Sequence, residues 1–135
     1  MVDQRFSAAV HIMTSLAYHK GDLMTSDALA SSIRTNPTVV RRLLAKLVDA
    51  GLVDSFKGKS GGVKIARSPK EISLRDIYLA VSGKQLLNVS CKEPDKKCVV
   101  SCAMTKLLRE VVDGLEKNSM SYLSGIKLSE LASKV

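Results

Sequence analysis

Residues 35–66 read TNPTVVRRLLAKLVDAGLVDSFKGKSGGVKIA, and the order of signals within them decides the fold. Asn36-Pro37 opens a helix: the Asn side chain can accept a first-turn N–H, and Pro takes the first helical position, where a missing N–H costs nothing. Gly51 closes it. Between them Val40, Leu43, Leu44, Leu47 and Val48 recur at helical spacing as one apolar face, which turns Thr38, Arg41, Arg42, Ala45 and Lys46 outward. Leu52–Phe56 and Val63–Ala66 then read as two short strands joined by Lys57-Gly58-Lys59-Ser60-Gly61-Gly62. The glycines allow a tight turn and a close approach to another surface, and the lysines bring charge to it.

On the N-terminal side, Phe6, Ala9, Val10, Met13, Leu16 and Ala17 predict an amphipathic helix to about His19. Thr25 reads as the cap of a short second helix running to about Ser32, with Met24 and Leu29 as a hydrophobic staple. Two short helices, the second presenting cations and hydrogen-bonding groups near its start, describe a helix-turn-helix whose second helix enters a major groove. On the C-terminal side, Ser73 with Asp76 forms a capping box and Ile72 with Ile77 a second staple, for a helix ending near Gly83. Residues 84–97, which include Pro94 and several charges, read as a connecting loop. From about Cys98 to Tyr122 a long helix places Met104, Leu108, Val111 and Leu115 at steps of four, three and four, the seam of a helix that packs on a partner helix. Leu107 and Val112 widen that stripe, so a two-fold dimer is its natural cover, with packing inside the chain as the alternative. Leu128–Leu131 suggest a short closing helix.

The expected fold is therefore mainly α with a small β-hairpin. It comprises a winged helix-turn-helix over residues 1–83, a connecting loop over 84–97, and a dimerisation helix with a C-terminal tail over 98–135.

The 135 residues include 21 Lys and Arg against 13 Asp and Glu, a net charge of +8. Nine of the basic residues and only two of the acids fall in residues 31–70, so nearly all the imbalance sits on the predicted helix-turn-helix and hairpin. A cationic field so localised attracts a polyanion. With 45% hydrophobic and 25% charged residues, the composition excludes a disordered or fibrous chain. The longest apolar run, Ile77–Val81, is far shorter than the ~20 residues of a membrane-spanning helix. The N-terminal Met1-Val2-Asp3-Gln4-Arg5 lacks a secretory signal pattern, so no membrane partner and a cytoplasmic location are expected. No nucleophile with its base, carboxylate pair or cofactor fingerprint stands at a recognisable spacing, and the glycine loop has no phosphate-loop pattern. Neither catalysis nor a resident cofactor is expected. The reading that remains is a sequence-specific regulator of double-stranded DNA. A non-specific nucleoid protein would share the charge but would not need a capped helix with two arginines beside Asn36 and Thr38.

Residues 35–66 and the following RSPKEISLRDIYLAVSG, residues 67–83, together resemble the Rrf2 family of bacterial winged-helix transcription regulators, and the order of elements matches over nearly the whole chain. The stretch from Gly51-Leu52 to Gly62 is the most specific part, and Asn36–Arg42 is more similar to the YwnA-type branch than to the cluster-binding regulators. The resemblance implies a homodimer that crosses its long helices and sets two reading heads on a palindromic operator, as a repressor. It implies recognition-helix contacts at Asn36, Thr38 and Arg41, with Arg42 beside them, and wing contacts at Lys57 and Lys59. Lys57 stands where the family usually has Arg, and Val63 where an aromatic usually follows the double glycine. Lys is a point charge without the guanidinium fork, so weaker minor-groove reading by the wing is expected. Arg41 stands where one cluster-binding relative has an acid; Arg prefers guanine O6 and N7 whereas an acid accepts from cytosine, so a different operator is expected.

The three cysteines, Cys91, Cys98 and Cys102, are too few for a disulfide scaffold. Their spacing falls where several family members place three iron–sulfur ligands, which implies a cluster as an alternative cofactor. The second gap is shorter than in those members, and Ser7 stands where one relative has an acidic ligand. A second reading is a redox sensor: Cys98 opens the long helix beside Lys96 and Lys97, an environment that favours a thiolate, and Cys91 could resolve its oxidised form. A third is that all three are small apolar residues in the fold. Zinc is disfavoured because His11 and His19 sit on the first helix without metal-motif spacing.

Overall fold

Helix α1 (Arg5–Tyr18) places Ala9, Ile12, Met13, Leu16 and Ala17 on its buried face, the helical recurrence of apolar residues that the sequence displays. The computed structural model describes residues 4–82, 93 and 95–135. Gly83, Cys91, Pro94 and most of the expected loop 84–97 lie outside the described residues. After α1 come α2 (Ser26–Ile33), α3 (Pro37–Asp49), β1 (Val53–Phe56), β2 (Gly62–Ile65), a 3-10 turn (Pro69–Glu71), α4 (Leu74–Val81), α5 (Val99–Ser124) and α6 (Leu128–Ala132). The chain groups into two units, Met1–Gly83 with Leu123–Val135 and, separately, Lys84–Tyr122. Among the described residues, no helix is long and apolar enough to cross a membrane.

In the first unit, each helix boundary has a local cause. Thr25 caps α2 by accepting the Ala28 N–H on its hydroxyl oxygen at 3.1 Å. The turn into α3 then rests on Arg34, which adopts the left-handed conformation (φ 65°, ψ 49°) with no glycine to relieve it. The strain of a Cβ in that region is offset by the contacts that dock α2 on α3. Helix α3 starts at Pro37, and Asn36 Oδ1 accepts the Thr38 N–H at 2.8 Å. It stops in a Schellman arrangement: Gly51, at φ 77°, donates to Val48 O at 2.9 Å, and Leu52 donates to Leu47 O at 3.0 Å. Leu47 and Leu52 are both buried, which supplies the apolar contact that usually accompanies this stop.

Because Leu52 belongs to that stop, the first strand begins at Val53, one residue later than the sequence suggests. The hairpin is antiparallel, pairing Val53 with Ile65 and Phe56 with Gly62. Its second strand also bridges Met24, with N–H to carbonyl bonds of 2.9 and 2.8 Å exchanged between Met24 and Val63. A Cβ on Gly62 would lie 2.7 Å from the Met24 carbonyl oxygen, so this bridge requires glycine there. Met24 thus ties the hairpin to the helix-turn-helix.

Helix α4 carries the full capping box. Ser73 Oγ accepts from the Asp76 N–H, and Asp76 Oδ2 accepts from the Ser73 N–H at 2.9 Å. The C-terminal segment closes the unit, since Leu74 donates to Ile126 O at 3.0 Å and Leu128 to Ile72 O at 2.8 Å. Ile12, Leu16, Leu29, Leu47, Ile77 and Leu128 are fully buried, so five separate helices meet in one core.

Since the Asn36 side chain satisfies an otherwise orphaned N–H at the start of α3, Asn36→Ala is expected to lower stability by about 0.5–2 kcal/mol and Asn36→Asp to restore most of it. Urea unfolding followed by circular dichroism measures both.

Candidate nucleic-acid interface

Val40, Leu43, Leu44 and Leu47 bury one face of α3, and the opposite face exposes Thr38, Arg41, Arg42, Ala45 and Lys46. The burial of the first set fixes the direction of the second, because a helix anchored along four apolar positions cannot rotate about its axis without exposing them. Asn36 is exposed at the head of this face, but its Oδ1 is engaged in the cap, which leaves the amide NH2 as its outward group. Lys57 and Lys59 are exposed at the tip of the hairpin, on either side of Gly58 at φ 106°. Between α3 and the hairpin lies a groove of about 430 Å³, floored by Leu44, Val48 and Val63 and edged by Arg41, Asp49 and Phe56. On the hairpin itself, Lys64 Nζ sits 5.1 Å from the centre of the Phe56 ring.

Two further basic groups have definite partners that spacing alone does not reveal. Arg41 Nη2 lies 3.6 Å from Asp27 Oδ1 on α2, with both side chains mostly exposed (59% and 76%). Arg67 Nη2 donates to the Glu71 carbonyl at 3.3 Å and braces the 3-10 turn. Nothing in the sequence announces the role of Asp27, because the pair closes across the helix-turn-helix and no helical periodicity joins positions 27 and 41. The surface combines forked donors and a hydroxyl on one helical face with lysines on a glycine-tipped hairpin. The first set suits base edges in a groove and the second suits phosphates.

In the second unit, α5 keeps the predicted seam at its surface: Met104, Leu108, Val111 and Leu115 are 38–64% exposed. Leu107, which widens the stripe, is also exposed, whereas Val112 is buried. Ahead of α5, Asp95 Oδ1 accepts the Lys97 N–H, and Ser101 Oγ accepts the Asp95 N–H at 2.9 Å. Cys98 is half-buried at the start of the helix, where its Sγ accepts the Ser101 N–H at 3.4 Å. Cys102 is exposed, one turn on, and its thiol donates to the Asp95 carbonyl at 3.5 Å.

An iron–sulfur cluster needs about four ligands, and the described residues supply two thiols at this place. Among the described residues no group of three or more His, Cys, Asp or Glu could hold a metal ion. Cys91 lies outside them, and Ser7, in the position of an acidic ligand, is an exposed hydroxyl on α1. The described donors do not make up a cluster site. The two histidines are exposed on α1 and just past its end; His11 Nε2 lies 2.9 Å from Ser32 Oγ, and the His19 ring meets Tyr18 edge-on.

Comparison with known proteins agrees with this geometry. The model of the Rrf2 family, described as iron-dependent transcriptional regulators, matches residues 2–134. The HTH-type transcriptional regulator by name YwnA, of Bacillus subtilis strain 168, is 28% identical over 131 residues, covering 97% of this chain and 96% of its own length. From the same organism, YwgB, also named as an HTH-type transcriptional regulator, is 33% identical over 107 residues, covering 74% of this chain and 68% of its own. A crystal structure of a transcriptional regulator from Lactobacillus plantarum superposes with a TM-score of 0.82 at 20% identity, over 96% of this chain and 88% of that one, a likeness of fold. With α3 anchored by one buried face, a glycine hairpin and a long C-terminal helix, the chain belongs to the Rrf2 family of winged-helix transcriptional regulators and is a DNA-binding regulator, not an enzyme.

Proposed function

We propose that the protein is a homodimeric repressor that reads a palindromic operator from the cytoplasm. The observation that carries this reading is the exposed Thr38–Arg41–Arg42 face of α3, set opposite four buried apolar residues and accompanied by the Lys57 and Lys59 tip. In it α3 enters the major groove, where Asn36, Thr38, Arg41 and Arg42 meet base edges, and Lys57 and Lys59 meet the flanking phosphates and the minor groove. A guanidinium presents two parallel donors to guanine O6 and N7, and Lys supplies charge without that geometry. Discrimination therefore falls to the arginines and general affinity to the lysines.

The dimer reading rests on α5. Four apolar side chains at coiled-coil spacing stand exposed in the single chain, and burying them against a second copy removes that surface from water. A symmetric pair presents two recognition helices, which is why the operator is read as a palindrome and the half-sites as separated by about one helical turn or a multiple of it. A redox input is a second reading, favoured by the position of Cys98 at the mouth of α5 with a backbone N–H directed at its sulfur. In that reading a peroxide converts the Cys98 thiol to a sulfenic acid with release of water, which changes the polarity and hydrogen bonding of the helix start.

Arg41→Ala or Arg42→Ala is expected to cost about 1–3 kcal/mol of discrimination against a wrong base pair, whereas Lys59→Ala weakens all duplexes alike and lessens the salt dependence. Titrations of an enriched and a scrambled duplex at several salt concentrations separate the two effects; unchanged discrimination in both arginine variants would contradict the assignment. Leu108→Glu is expected to convert the protein from dimer to monomer in sedimentation equilibrium and to abolish operator binding at concentrations where the wild type is saturated. Mild peroxide is expected to alter wild-type operator binding and to leave Cys98→Ser unchanged. An equal response in the two proteins would exclude Cys98 as the sensing thiol.

A further inference from the structure

Among the described residues, Arg41 is the cation of this face with an acid against it. Asp27, in the first turn of α2, brings Oδ1 to 3.6 Å from Arg41 Nη2, and the two helices that carry the pair are fixed relative to each other by buried Leu29, Ala30, Val40, Leu43 and Leu44. The Cα positions are therefore set by the core, and the remaining freedom belongs to the long Arg41 side chain, which can reach phosphates of any sequence if nothing restrains it. We propose that Asp27 is a positioning residue for base reading: its carboxylate holds the Arg41 guanidinium toward α2, so that Arg41 approaches the duplex with its fork already aimed.

The chemistry of the pair permits this. A guanidinium has five N–H donors, and the contact with Asp27 runs through Nη2, so the side chain keeps enough donors to meet guanine O6 and N7 together. Arg41 stands at the edge of the groove between α3 and the hairpin, which Ser26, the residue before Asp27, also lines. A carboxylate placed there also disfavours the alternative in which Arg41 lies along the phosphate backbone, because that pose leaves Asp27 facing phosphate without its partner. As the first-turn acid of α2, Asp27 serves the helix dipole as well, and this second role supports the fold without influencing which base is read.

The inference rests on the DNA-reading role of Arg41, and one experiment separates them. Duplexes are enriched from a random pool with the wild type, and the ratio of affinities for the enriched and a scrambled duplex is measured for the wild type, Asp27→Asn, Asp27→Glu, Arg41→Ala and the Asp27→Asn/Arg41→Ala pair. The expected result is that Asp27→Asn lowers this ratio about two- to fivefold, in keeping with an exposed ion pair. Asp27→Glu restores it at least partly, and Asp27→Asn has no effect once Arg41 is absent. A general electrostatic role shifts both affinities equally and leaves the ratio unchanged; that outcome, or an equal fall with and without Arg41, overturns the proposal while leaving the DNA-reading function intact. A wild-type protein that enriches no motif overturns the proposed function, and the role of Asp27 with it.

Discussion

The burial of one face of α3 is the constraint from which the proposed reading surface derives. Val40, Leu43, Leu44 and Leu47 leave water together, and with them the helix loses its freedom to turn about its axis. Transferring such side chains to the core is worth about 1.5–3 kcal/mol each, far more than any exposed ion pair on the opposite side contributes. The apolar residues therefore determine the orientation and the polar ones inherit it. The N-cap at Asn36 and the stop at Gly51-Leu52 set where the helix begins and ends, and so how many of its outward residues stand clear of neighbouring elements.

What the sequence discloses about this fold is what depends on near neighbours. The caps at Thr25, Asn36 and Ser73 place polar oxygens within a turn of the N–H groups they satisfy, so a reader of the sequence can recognise them without knowing the tertiary structure. The helical spacing of the α3 face and the α5 seam is of the same kind. Contacts between distant residues leave no such trace. The Met24–Val63 bridge, the closure of α4 by Ile126 and Leu128, and the approach of Asp27 to Arg41 all join positions whose separation carries no periodic signal. Arg34 is a different case: a left-handed turn is ordinarily announced by glycine, and here tertiary contacts hold an arginine in that conformation.

The two units divide the work. The residues proposed to read DNA belong to the first, through α3 and the hairpin, and the exposed apolar seam belongs to the second, through α5. Cys98 lies at the start of that same helix, with its sulfur in the hydrogen bonding of the first turn. A chemical change at one sulfur would thus act on the element proposed to join two protomers, which is the sort of place where a local event can alter a whole assembly.

The account as a whole stands on the outward direction of the two α3 arginines. Their reactivity toward an arginine-selective dicarbonyl reagent, followed by peptide mass spectrometry with and without an enriched duplex, tests this directly. Arg41 and Arg42, exposed in the free protein, are expected to be modified there and, on the proposed function, protected when the duplex is bound. Equal modification in both conditions would show that these guanidiniums face solvent and not DNA, and would contradict the assignment of α3 as the helix that reads it.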